Sequence, residues 1–232
     1  MKIVDLLSGT KVLEEVESEI NGKISVIKTL GYGTYLQVGG LTQSGGVVYG
    51  IWKTTLRKVK SQKSTPSASS GLMLSKIEAS KVKSCLILGL GGGTSAELIR
   101  KFWPGAEITG VDLDPAMVEL GKKYFGLRSL DVDIVIGDAY EFVVKQSKSK
   151  NRFDLILVDI YLGDKFPKKF EEEKFLKLVF KMLSENGCVI FNRLYFGEKR
   201  KEAVKFGDKL DKVFSKVRRV YPEANLMFLC SK

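Results

Sequence analysis

The chain has 232 residues, 44% of them hydrophobic, and carries a formal net charge of +11 from 38 Lys and Arg against 27 Asp and Glu. That length supports one substantial core with a small module beside it, and no apolar run approaches the roughly 20 residues that a membrane-spanning helix needs. Histidine is absent, which excludes Ser-His and Cys-His nucleophile systems and leaves acid–base chemistry to carboxylates, tyrosine or lysine.

Residues 1–15 are mixed and read as a short helix or extended arm, and the acidic Asp5 so soon after Met1 does not suit a signal peptide. The cytoplasm is the expected compartment. From Val16 the pattern changes to short strands with glycine turns: Asn21-Gly22 predicts a hairpin joining 15–20 to 23–29, and Gly31, Gly33, Gly39 and Gly40 set off a further strand over 34–38. A β-meander this small buries little by itself, so it is expected to pack on the main domain or on a second copy, with oligomerisation the favoured use. Residues 47–56 open a helix, and residues 57–71 are basic, serine-rich and broken by Pro66. That stretch reads as a flexible surface linker, in preference to a nucleic-acid-binding arm. The expected organisation is therefore a meander module over 1–56, a linker over 57–71 and a main domain over 72–232, which begins with a short helix at 72–79.

Regular βα alternation starts at Lys83, with strands expected near 84–89, 107–112, 132–137, 153–159 and 188–193. Apolar runs of this length suit strands buried on both faces, as in a parallel sheet covered by helices. The first strand breaks at Gly89, Gly91, Gly92 and Gly93 into a helix over which Ala96, Leu98, Ile99 and Phe102 recur at helical spacing. Glycines at such a junction let a ligand approach the backbone, and the free N–H groups of the new helix favour a polar or anionic group. Thr94 stands where a dinucleotide fingerprint wants glycine or alanine, so NAD fits badly.

The second strand ends in Asp112, about 20 residues beyond the glycine turn, where related folds place the carboxylate that binds a ribose diol. Asp114, followed by Pro115, reads as the cap of the next helix. Asp138 closes the third strand and suits either a helix cap or an acceptor for an exocyclic adenine amine. Asp159 ends the fourth and opens a loop with Tyr161, Gly163 and Asp164 that reads as a substrate-facing lid. The last two strands, near 216–221 and 225–230, are joined by only Pro222, Glu223 and Ala224, too short a link for a parallel crossover. An antiparallel last strand is the arrangement of S-adenosylmethionine-dependent transferases. Cys85, Cys188 and Cys230 all fall inside expected strands without metal-ligand spacing, so neither a metal site nor a disulfide is indicated. The positive charge is compatible with a nucleic-acid partner, but it is spread over Lys-rich helices that also carry Glu, which disfavours that use.

With Leu88 to Thr94, Val111 to Pro115, Gly137 to Ala139, Phe153 to Asp159 and the N-terminal Gly39-Gly40-Leu41-Thr42-Gln43 in place, the chain resembles the spermidine synthase-like branch of class I S-adenosylmethionine-dependent transferases. The resemblance implies a Rossmann-like doubly wound α/β sheet behind a small β-meander, and S-adenosylmethionine or its decarboxylated form as the cofactor. It implies cofactor contacts at Gly89, Gly91, Gly93, Thr94, Leu113 and Ala139, with ribose at Asp112 and adenine at Asp138. Gln43 and Tyr49 match its substrate side, and it implies dimers or tetramers. The chain departs from aminopropyl-transferring members in three places: Gly92 replaces an aspartate that holds the aminopropyl amine, Leu162 replaces a second aspartate, and Tyr49-Gly50-Ile51 stands for a Tyr-His-Glu run. Losing those charges removes anchors for a polycation. The expectation is a methyltransferase-like enzyme acting on a small-molecule acceptor, an amine among the candidates, with Asp159 as base or orienter and Tyr161 and Asp164 beside it. Aminopropyl transfer, with Asp164 substituting for the missing carboxylate, and non-catalytic nucleic-acid binding are the alternatives.

Overall fold

The computed structural model describes residues 9–60 and 82–232. The expected arm before residue 9, the linker from residue 61 onward and the helix at 72–79 lie outside the described residues.

Four antiparallel strands form the N-terminal sheet in the order β1 (Thr10–Ser18), β2 (Gly22–Thr29), β3 (Gly33–Val38), β4 (Leu41–Gly45). Alternation along β2 and β3 places Ile24, Val26, Leu36 and Val38 on one face, where they pack with Met117 and Leu120 of the main domain. Two differences from the sequence reading stand out. The first strand starts at Thr10 rather than at residue 15, and β4 was not expected at all. Leu-Thr-Gln-Ser-Gly has neither alternation nor β-branched bulk; it is a strand because Gly39 and Gly40, both at positive φ, turn the chain back onto β3.

Helix α1 (Gly46–Lys60) buries Ile51, Trp52, Thr55, Leu56 and Val59 along one stripe. It runs through residues 57–60, which corrects the expected linker boundary at 57. Arg57, Lys58 and Lys60 in its last turn suit the negative end of the helix dipole.

The main sheet has seven strands in the order β10-β11-β9-β8-β5-β6-β7. Their ranges are β5 (Ser84–Leu88), β6 (Glu107–Asp112), β7 (Val132–Ile136), β8 (Phe153–Val158), β9 (Leu183–Leu194), β10 (Lys216–Val220) and β11 (Asn225–Ser231). Between them run α2 (Thr94–Phe102), α3 (Pro115–Tyr124), α4 (Ala139–Gln146), α5 (Glu173–Met182) and α6 (Lys199–Val213). One apolar core lies on each face: Ile87, Leu155 and Ile190 point into the core shared with Trp52 and Ile99, while Leu86, Ile156 and Phe191 point into the core shared with Phe175 and Phe206. This is the two-sided burial that the apolar runs predicted. β11 runs antiparallel to both β9 and β10, as the three-residue link required. Strand order reverses at β5, which pairs with β6 on one side and β8 on the other, and a cleft opens at the carboxyl ends of those strands. Among the described residues no helix is long and apolar enough to cross a membrane.

Candidate active site

The cleft holds a cavity of about 380 Å³ bounded by the glycine turn, the ends of β6 and β8, the loop after β8, α1 and the N-terminal sheet. At the turn, a Cβ on Gly89, which sits at φ +88°, would lie 2.1 Å from the Asp159 carbonyl oxygen, so only glycine lets β5 and β8 approach this closely. Gly91 donates its N–H to Asp112 Oδ2 at 2.6 Å, and the N–H of Asp114 reaches Asp112 Oδ1 at 2.9 Å. Burial pushes the Asp112 carboxyl up, while those backbone N–H groups oppose it. Asp112 lines the cavity, and a carboxylate that accepts these N–H groups retains acceptor capacity of the kind a vicinal diol requires.

Asp138 Oδ1 caps α4, accepting from the N–H groups of Tyr140 at 2.7 Å and Glu141 at 3.1 Å, and Oδ2 accepts from Lys169 Nζ. Burial alone would raise this carboxyl; the Lys169 ammonium and the two N–H groups outweigh it and hold it low. Of the two sequence readings of Asp138, the cap is formed. Leu113 and Ala139 line the cavity beside it.

Asp159 also lines the cavity. Its Oδ2 accepts from the Trp52 indole N–H at 2.8 Å and its Oδ1 from Asn192 Nδ2 at 2.7 Å. Burial pushes its carboxyl above the ordinary aspartate value, with the two hydrogen bonds pulling back and the Asp112 charge adding to the rise. Tyr161 lines the cavity, but its hydroxyl is committed to strand β9: it donates to the Asn192 carbonyl at 3.2 Å and accepts from the Leu194 N–H at 2.9 Å. Burial raises that phenol, so Tyr161 clamps the loop rather than moving protons.

Three expected site residues lie outside the cavity. Asp164 is half-exposed and paired with Lys199 at 3.1 Å, which holds its carboxyl low. Tyr49 sits on the side of α1 turned toward α2, its hydroxyl accepting from Lys101 Nζ at 3.2 Å and its ring facing the Lys53 ammonium. Gly93, at φ +91°, packs against Leu127 beneath the start of α2. Thr94 borders the cavity, yet its hydroxyl accepts from the Gly45 N–H at 2.8 Å and ties β4 to the glycine turn, as does Ser44 Oγ by accepting from the Gly92 N–H at 2.8 Å. Gln43 does face the cavity, and donates to the Gly163 carbonyl at 3.4 Å.

Sequence reasoning missed Ser44, Trp52, Lys169 and Asn192. Asn192 had a readable signal, since a lone amide at the end of the apolar run Cys188 to Phe191 is a buried polar group that must find partners. Trp52 had none beyond its position on a helical stripe.

A model of the spermine/spermidine synthase domain matches residues 69–224. Among curated proteins, the eEF1A lysine and N-terminal methyltransferase of Danio rerio is 29% identical over 159 residues, covering 64% of this chain and 23% of its own length. The probable polyamine aminopropyl transferase of Bifidobacterium longum is 27% identical over 162 residues, covering 68% of this chain and 35% of its own. The chain thus spans about a quarter to a third of the length of these relatives. Among solved structures, spermidine synthase from Thermotoga maritima superimposes with a TM-score of 0.72 at 19% identity, over 95% of this chain and 72% of its own.

Proposed function

Since the chain belongs to the spermine/spermidine synthase domain family, we propose that it is an S-adenosylmethionine-dependent transferase that moves a methyl group. The observation that carries this reading is the wall beside Gly92. A Cβ there would lie 2.9 Å from Leu36 Cδ1 and 3.0 Å from Ser44 Cβ, because the N-terminal sheet is pressed against the turn. An aspartate at that position would have to push Leu36 and Ser44 aside before it could hold an aminopropyl amine. Among the described residues, Asp114 and Asp138 on the cavity wall are taken up by the protein's own donors, Asp114 by Ser18, Asn21 and the Ala116 N–H, and Asp138 by Lys169 and the N–H groups that it caps.

The cradle for the donor fits an adenosyl group: the cavity-lining turn at Gly89 and Gly91, a diol acceptor at Asp112, and the apolar side chains of Leu113, Ala139 and Phe170 around the base. S-adenosylmethionine bound there supplies a sulfonium methyl whose bonding electrons stay on sulfur, leaving S-adenosylhomocysteine. Asp159 takes the acceptor's proton as the new bond to the methyl forms. Alignment and proton removal are all such a transfer asks of the protein. On the acceptor side Val47, Leu162 and Phe196 are exposed at the cavity mouth, so the acceptor carries its nucleophile, an amine in this reading, on an apolar stem. The exposed Leu30 and Tyr32 of the N-terminal sheet support assembly through that module, which sedimentation would test.

Isothermal titration with S-adenosylhomocysteine tests the cofactor assignment directly: binding is expected, and no heat at millimolar ligand would end it. One observation favours the second reading, aminopropyl transfer from decarboxylated S-adenosylmethionine, namely Gln43 in the cavity. It predicts a polyamine product from that donor and putrescine, which the closed wall at Gly92 argues against. Replacing Gly92 with Asp separates the two. The substitution is expected to destabilise the protein by about 1–3 kcal/mol through overpacking and to confer no aminopropyl transfer; a stable, aminopropylating G92D protein would reverse the ranking.

A further inference from the structure

We propose that Trp52 is a positioning residue for the transfer, its indole N–H fixing the Asp159 carboxylate in the orientation that an acceptor meets. The proposal rests on the reading of Asp159 as the group that takes the acceptor's proton. Trp52 is fully buried in α1, and its Nε1 lies 2.8 Å from Asp159 Oδ2. The other oxygen is held by Asn192, whose own amide oxygen accepts from Asn225 Nδ2 at 2.7 Å, so that donor cannot turn away. Each carboxylate oxygen therefore has one neutral partner on a separate rigid element, α1 on one side and β9 on the other.

Neutral donors suit a base better than a cation would. An ion pair of the kind that Lys169 makes with Asp138 holds a carboxyl low and weakens it as a proton acceptor. Trp52 and Asn192 can neither give up a proton nor cancel the charge; they fix the plane of the group and leave its remaining lone pairs open. The titratable groups that bear on Asp159 are Asp112 at the end of β6, whose charge opposes ionisation, and Tyr161 in the loop after β8, whose hydroxyl is engaged with β9. No charged side chain of α1 contributes to the raised Asp159 carboxyl. The helix that follows the N-terminal sheet thereby becomes part of the reaction centre and not only its cover.

The test follows the Asp159 carboxyl by NMR of protein carrying 13C-labelled aspartate, with Asp159→Asn assigning the signal. In Trp52→Phe, which keeps an aromatic ring and loses the N–H, its titration midpoint is expected to move up by about one pH unit. Turnover is expected to fall at unchanged S-adenosylhomocysteine affinity. A midpoint that stays put, even with a lowered melting temperature, would reduce Trp52 to packing and overturn the proposal. Should Trp52→Phe fail to fold, Trp103→Phe leaves Trp52 as the single tryptophan of the two. Its emission is then expected to follow the Asp159 titration, and an emission flat with pH, or unchanged by adding Asp159→Asn, overturns the proposal equally. Absence of S-adenosylhomocysteine binding in the unaltered protein would instead remove the transferase reading and leave the titration result standing.

Discussion

Replacing Asp159 with asparagine is expected to lower turnover by about 10²–10⁴-fold, the range for loss of a positioned general base, while S-adenosylhomocysteine affinity stays close to that of the unaltered protein. In the proposed reading the nucleoside contacts fall on the glycine turn and the Asp112 carboxylate, and none falls on the Asp159 carboxylate. The pH dependence follows from the direction of the shift. Burial raises this carboxyl from its ordinary 3.8, and the base works only when ionised, so activity should rise with pH along an acid limb whose midpoint sits above that value. D159N removes the limb. Stability moves the opposite way. From about pH 3.8 upward the unfolded carboxyl ionises while the folded one keeps its proton, so the unfolded state gains. The stability difference between wild type and D159N therefore falls as pH rises toward the folded midpoint and is level beyond it. A rate profile without an acid limb, or a D159N protein of normal turnover, would remove Asp159 from the chemistry.

The frame of this site could be read from sequence because its parts are local. Buried parallel strands announce themselves as apolar runs, the turn as glycines, and the cavity-lining Asp112 by its distance along the chain from that turn. What could not be read depends on contacts between remote segments. Asp159 lines the cavity, yet its two hydrogen-bond donors come from positions 107 residues before it and 33 after it. Asp164 looked available because its loop is polar, and Lys199 at the start of α6 claims it. Tyr49 was misplaced through helix phase. Val47, Val48, Ile51 and Trp52 line the cavity, and at about 100° per residue Tyr49 points more than a right angle away from the middle of that arc. β4 escaped detection because its pairing, not its composition, makes it a strand.

The second large effect is expected at Asp114, which the sequence marked only as a helix cap. The cap is there, Oδ1 accepting from the Ala116 N–H at 2.8 Å, but Oδ2 also accepts from Ser18 Oγ at 2.5 Å and Asn21 Nδ2 at 2.6 Å. One carboxylate, only 1% exposed, thus bolts the β1–β2 hairpin to α3. Asp114→Ala would remove the cap, worth ~1 kcal/mol, and orphan two donors from the hairpin, worth ~1–3 kcal/mol. A loss of about 3 kcal/mol in a chain of this length lowers the melting temperature by roughly 6–12 °C. One transition shifted downward is expected, and not a separate early melting of the N-terminal sheet, because Trp52 and Leu56 of the helix that follows it are built into the main core. Asp114→Asn keeps an acceptor for Ala116 but turns an amide nitrogen toward Asn21, so about half of the loss should remain. The Asp114 N–H is also one of the donors that fix Asp112, so loosening the start of α3 should weaken S-adenosylhomocysteine binding in step with stability. Unaltered melting in D114A would show that the hairpin is held by its apolar face alone, through Ile24, Val26 and Leu36 against Met117 and Leu120.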